Sequence, residues 1–328
     1  MSYASRGSLG LASVLVAAVL ATLVGGAQQA PVSSAQTTAD DFVTRAWERA
    51  ERGDHRGAAE DFTQALRLDP QNRDAYLGRA YARGELSDLQ GAVEDFGQVL
   101  RLDPQNKDAY LGRAYARGEL SDHQGAIEDF GQVLRLDPQN KDAYLGRAYA
   151  RAELRDQQGA IEDFTQAVGL DPSNADVFVA RGEARSALGD DPGAIADYTQ
   201  ALAINPQHAG AYMGRGGARS RGGDRQGALD DLSRALTLDP RNGEAFRERG
   251  TLRFGMGDSQ GAVEDFTAVI GLSPSDADAY FNRGLVRQGV GDRAGAIQDM
   301  QAALDLYMEQ GDAEGARSAR EILAGLFR

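Results

Sequence analysis

Along residues 73–106 the apolar positions fall into two runs with helical spacing, Ala75, Tyr76, Ala80 and Ala82 first, then Ala92, Val93, Phe96, Val99 and Leu100. Between the runs stands Asp88, a residue that suits the N-cap of the second helix, so the stretch predicts a helical hairpin. The pattern then begins again. Seven prolines, Pro70, Pro104, Pro138, Pro172, Pro206, Pro240 and Pro274, stand thirty-four residues apart and divide the chain into units 39–72, 73–106, 107–140, 141–174, 175–208, 209–242, 243–276 and 277–310. An Asp occupies the inter-helix place in every unit (Asp54, Asp88, Asp122, Asp156, Asp190, Asp224, Asp258, Asp292). Gly53, Gly189, Gly223, Gly257 and Gly291 precede it in five units, where they can end the first helix in a left-handed turn. The Asp-Pro step closes the second helix, and Asn72, Asn106, Asn140, Asn174 and Asn242 are placed to cap the next first helix.

A copied unit of this length buries its apolar face only against its neighbours, so the expectation is one elongated all-α domain whose function resides on a repeated surface. At these residues the chain resembles the tetratricopeptide repeat family, whose unit carries a small residue at position 8, Ala at 20, an aromatic at 24 and Pro at 32. Position 8 is Ala46, Ala80, Ala114, Ala148, Gly182, Gly216, Gly250 and Gly284. Position 20 is Ala in all eight units, from Ala58 to Ala296, and position 24 is Phe62, Phe96, Phe130, Phe164, Tyr198 and Phe266 in six. The resemblance covers 39 to about 310 and implies a right-handed α-solenoid, a superhelix of tandem helix-turn-helix hairpins. The ends depart from it. Asp41 and Glu48 stand where later units are small or apolar, as suits a first hairpin with nothing before it. Tyr307 and Met308 replace Asp-Pro in the last unit, so its second helix is expected to run on. Residues 311–328 then read as a capping helix with Ala316, Ala319, Ile322, Leu323 and Leu326 on its buried side.

Positions 7 and 11, commonly Leu and Tyr in the family, are Arg in every unit, and position 23 is always Asp. Arg79 and Arg83 with Asp95, Arg113 and Arg117 with Asp129, and Arg147 and Arg151 with Asp163 predict a structural ladder of ion pairs, a task that suits the planar guanidinium fork. The other reading is an anion-binding stripe. With two arginines for each aspartate, some must reach helix-end carbonyls, other carboxylates or water.

Positions 4, 7, 8, 11 and 14 of a first helix share one side, while 2, 5, 6, 9, 12 and 13 point the other way. The family resemblance implies that this second set lines a concave wall that takes an extended or helical peptide. Here it supplies Trp47, Leu77, Tyr81, Leu111, Tyr115, Leu145 and Tyr149 in the first four units, flanked by Asp40, Asp74, Asp108 and Asp142 and by Glu51, Glu85, Glu119 and Glu153. An aromatic floor with acidic margins favours a protein or peptide partner bearing apolar and basic side chains. The alternative is that the tyrosines merely pack against neighbouring units. The later units carry a different wall, with Val179, Met213, Gly217, Arg247, Phe254 and Phe281.

The formal charge of −14 repels nucleic acid and anionic lipid. With no cysteine, disulfides, thiolate metal sites and cysteine nucleophiles are excluded. His55, His123 and His208 have no metal-ligand spacing, and Gly257-Asp258-Ser259-Gln260-Gly261, which fits a hydrolase elbow pattern, lacks the strand that motif requires. A non-enzymatic scaffold without cofactors is therefore the expectation, with a self-associating structural array as the alternative. Arg6 followed by an apolar stretch from Leu9 to Val24 reads as a secretory signal over 1–27, cut after Ala27 or Ala35, with a retained membrane anchor as the other possibility. Residues 28–38 read as a flexible linker to an exported array.

Overall fold

A computed structural model describes residues 37–327, and the signal and most of the linker read from the sequence lie outside the described residues. Seventeen α-helices make up these residues. Eight hairpins pair α1 (Ala39–Glu51) with α2 (His55–Leu68), α3 (Arg73–Glu85) with α4 (Leu89–Leu102), α5 (Lys107–Glu119) with α6 (His123–Leu136) and α7 (Lys141–Glu153) with α8 (Gln157–Leu170). They continue with α9 (Ala175–Ala187) and α10 (Asp191–Ile204), α11 (Ala209–Arg221) and α12 (Arg225–Leu238), α13 (Gly243–Gly255) and α14 (Ser259–Leu272), and α15 (Ala277–Gly289) and α16 (Arg293–Gln310). α17 (Ala313–Leu326) closes the series. The fold is an all-α helical-repeat solenoid. The chain divides after Pro172 into two compact units of four hairpins each, the second also carrying α17.

Helix boundaries follow the capping residues. The Asp before each second helix accepts a hydrogen bond from the backbone N–H three residues on, as Asp122 does from Gly125. All five expected asparagines cap first helices. Three caps of first helices were not foreseen. Thr38, assigned to the linker, forms a capping box with Asp41, and the loop residue His208 and Asp276 cap α11 and α15. His208 accepts the Ala211 N–H through Nδ1 and faces Asp176 through Nε2 at 3.0 Å. The turn between helices is left-handed in all eight hairpins, and where glycine is missing Ser87, Ser121 and Arg155 adopt φ of 62°, 63° and 62°.

Within a unit each hairpin packs its second helix on the first helix of the next, and in the first unit this contact is an aromatic ring seated on glycine. The Phe96 ring lies so close to Gly112 that a Cβ there would sit 2.4 Å from Cζ, and Phe62 on Gly78 and Phe130 on Gly146 repeat the contact. Phe62, Phe130 and Phe164 are completely or almost completely buried. First helices of successive hairpins also touch, more closely than second helices do, so each stack leans toward its first helices. The last hairpin ends as expected: α16 runs on to Gln310, Gly311 turns the chain at φ 75°, and α17 buries Ala316, Ala319, Leu323 and Leu326. Tyr307 stands buried where Asp-Pro would have broken the helix, its hydroxyl donating to Asp278 Oδ1.

Candidate interaction face

The arginine–aspartate ladder fixes how the two helices of each hairpin present their faces. In the third hairpin Arg113 Nε and Nη2 donate to Asp129 Oδ2 and Oδ1 at 2.8 and 2.7 Å, a bidentate pair between α5 and α6. Arg117 Nη1 adds a bond to Asp129 Oδ2 at 2.8 Å and another to the Gly125 carbonyl at 3.2 Å. One carboxylate thus holds both arginines, which resolves the two-to-one ratio. The second and fourth hairpins repeat the arrangement: Arg79 and Arg83 bond Asp95, and Arg147 and Arg151 bond Asp163. The position 7 guanidinium also lies over the aromatic ring three residues before it, as Arg113 does over Tyr110 at 5.7 Å. The hydrogen bonds Arg113 donates to Asp129, opposed by burial and aided by the charge of Asp129, raise the Arg113 pKa further. The ladder aspartates are buried in all eight hairpins.

The opposite side of the first helices is less open than the helical wheel implies. Trp47, Tyr81, Tyr115 and Tyr149 are half-buried, each set edge-on against the Phe of its own hairpin with ring centroids 5.3, 5.3, 5.1 and 5.2 Å apart. Leu77 and Leu111, expected on the open floor, are instead core residues at 8% and 5% exposure. Each leucine joins the cluster built around the Phe of its own hairpin, Leu77 with Phe96 and Leu111 with Phe130. Leu145 stays half-buried. The result is a shallow row of ring edges.

Its acidic margin is partly engaged. Asp74 pairs with Arg73 at 2.9 Å, and the Asp142 carbonyl accepts the Tyr115 hydroxyl at 3.4 Å. Glu119 is different: its Oε1 is buried with no hydrogen-bond partner among the described residues, and burial raises its pKa. The Tyr81 hydroxyl is likewise buried without a partner, its pKa pushed up by burial and then by the charge of Asp108. In the second unit Arg247 pairs with Asp276, Phe281 lies against Tyr307 with centroids 6.3 Å apart, and Phe254 is exposed.

No described helix is long and apolar enough to cross a membrane. Among the described residues no group of three His, Asp or Glu is arranged to hold a metal ion.

Hairpins of this length, with alanine and an aromatic at fixed places, define a helical-repeat protein built of tandem hairpins. The tetratricopeptide repeat family model matches residues 43–107, 79–129, 111–175, 179–243 and 247–310, and the chain belongs to that family. Among curated proteins no sequence match is found. Solved structures share the fold. The C-terminal part of a TPR repeat-containing protein from Cytophaga hutchinsonii superposes with TM-score 0.63 at 15% identity, covering 73% of this chain and 98% of that one. A tetratricopeptide repeat protein from Parabacteroides merdae gives TM-score 0.55 at 16% identity over 76% and 99%. YrrB, described as a TPR protein with an unusual peptide-binding site, gives 0.54 at 21% identity over 58% and 98%.

Proposed function

We propose that this protein is an exported, non-enzymatic scaffold that holds an extended or helical segment of a partner protein along its first-helix face, the segment contributing apolar and basic side chains. The observation that carries this reading is Glu119, a carboxylate with one oxygen buried and unpaired beside the row of ring edges at Tyr81, Tyr115 and Tyr149. An unpaired buried carboxylate is costly, and a cationic side chain from a partner would offset that cost while the rings contribute apolar and cation-π contact. The formal charge of −14 steers such a segment toward the surface. YrrB's peptide-binding description supports the class of partner. Export rests on the apolar stretch after Arg6, and assembly of an envelope complex is the setting that export suggests.

Selection of a random dodecamer library against the full chain tests the proposal. The selected peptides should be enriched in Arg, Lys and apolar residues, and an Asp108→Asn, Glu119→Gln, Asp142→Asn variant should bind them about tenfold more weakly. Enrichment of acidic peptides, or binding indifferent to the variant, would refute it.

A further inference from the structure

In the second unit the first-helix face breaks the pattern of the first unit at two facing rows. Position 9, Trp or Tyr in the first four hairpins, is Gly217 on α11, and position 6, glycine at 78, 112 and 146, is Glu248 on α13. Between these helices lies a cavity of about 480 Å³ that also meets Arg221, Arg225 and Arg247. A Cβ placed on Gly217 would stand 3.4 Å from Glu248 Oε2 and 3.6 Å from Arg221 Nη1, so both groups look into the space a ring would fill.

The charges around this cavity are not equally satisfied. Arg221 is engaged by Asp191 at 2.7 Å and by the Ser186 hydroxyl, and Arg247 Nη2 by Asp276. Arg225 is exposed at the rim. Glu248 has no hydrogen bond or ion pair among the described residues, and burial, then the repulsion of Glu244, raises its pKa against the opposing pull of Arg221. Arg247 Nε is buried without an acceptor. What the cavity lacks is a cation paired with Glu248, and the side chain of a basic residue within a peptide offers one. An acidic side chain would meet Glu248 while the nearest guanidinium groups are already paired.

We propose that this cavity receives one arginine or lysine side chain of the bound segment, Glu248 pairing its charge. The assignment rests on the reading that a segment lies along this face, and it goes beyond it by naming the residue class and its subsite.

Single-residue probes test the subsite without the segment. The full chain is titrated by calorimetry or NMR with acetyl-arginine-amide, its neutral isostere acetyl-citrulline-amide, and acetyl-glutamate-amide. The arginine probe should saturate and bind at least about tenfold more tightly than the citrulline probe, a difference of the size expected for one charge-assisted contact. Glu248→Gln should erase that preference. Gly217→Leu, which fills the cavity with a better helix former, should abolish binding of the probe. Equal binding of the arginine and citrulline probes, tighter binding of the glutamate probe, a preference that survives Glu248→Gln, or no saturable binding would overturn the proposal. Failure here with dodecamer binding intact removes the subsite alone, and arginine binding without dodecamer binding removes the segment reading alone.

Discussion

Asp129→Ala removes the carboxylate on which the third hairpin's ladder converges. Asp129 accepts two hydrogen bonds from Arg113 and one from Arg117, at 2.7 to 2.8 Å, and its side chain is 3% exposed. Each charge-assisted bond is worth about 1.5 to 3 kcal/mol, but the three share one acceptor and do not add. Removing one partner of a buried ion pair costs about 3 to 5 kcal/mol, because the other charge is left uncompensated. Here the arginines are 20% and 24% exposed and Arg117 keeps its bond to the Gly125 carbonyl, so water and backbone recover part of the loss. The expected loss is therefore near the lower end, about 3 kcal/mol. Urea unfolding followed by circular dichroism reads the total, and amide exchange in α5 and α6 shows whether the loss begins in that hairpin, a needed check because repeats unfold by neighbour coupling. Replacing the whole set, with Arg113→Met, Arg117→Met and Asp129→Leu, should recover most of the stability, since apolar substitutes for a complete buried network are often neutral or better. A loss under about 1 kcal/mol for Asp129→Ala would refute the claim that the ladder holds the hairpin together.

Three further outcomes are expected. Ser87→Gly and Ser121→Gly should each stabilise the first unit by about 0.5 to 1 kcal/mol in the same urea assay, because both residues hold a left-handed φ that glycine adopts without a Cβ penalty. Gly112→Ala should cost about 1 to 3 kcal/mol, since the new methyl would press into the Phe96 ring, and a neutral result would show that the ring has room to retreat. Hydrogen bonds from Arg45, opposed by burial and aided by the charges of Arg45 and Arg49, hold the Asp61 pKa below its ordinary value. The unfolded chain therefore takes up that proton first, and the contribution of Asp61 is full above about pH 4 and lost as pH falls through its folded pKa. Asp61→Asn should lower stability at neutral pH and flatten the acid limb of a pH titration of stability, and an unchanged limb would contradict the assignment.

The hairpins were legible because their signals are local. Asp88 and its equivalents, the Asn caps and the Asp-Pro step lie within one turn of the helix ends they set. The ladder was legible in composition, since Arg at positions 7 and 11 recurs with Asp at 23, but the sharing of one carboxylate by two guanidinium groups depends on the distance between helices. Depth was not legible at all. A helical wheel gives direction, and the sinking of Leu77 and Leu111 comes from their packing into the clusters around Phe96 and Phe130, which depends on the spacing of the helices. The left-handed turns at Ser87, Ser121 and Arg155 were missed because glycine fills that place elsewhere. Gly217 and Glu248 lie thirty-one residues apart, on different hairpins, and only packing brings them to one cavity.

Photo-crosslinking tests the central claim most directly, that partner recognition resides on the first-helix face. A benzophenone residue placed at Leu145 on α7, and separately at Glu128, exposed on the second helix α6, is irradiated with a selected basic dodecamer and mapped by mass spectrometry. The account predicts peptide adducts at Leu145 and none above background at Glu128. Adducts at Glu128 with none at Leu145 would contradict it.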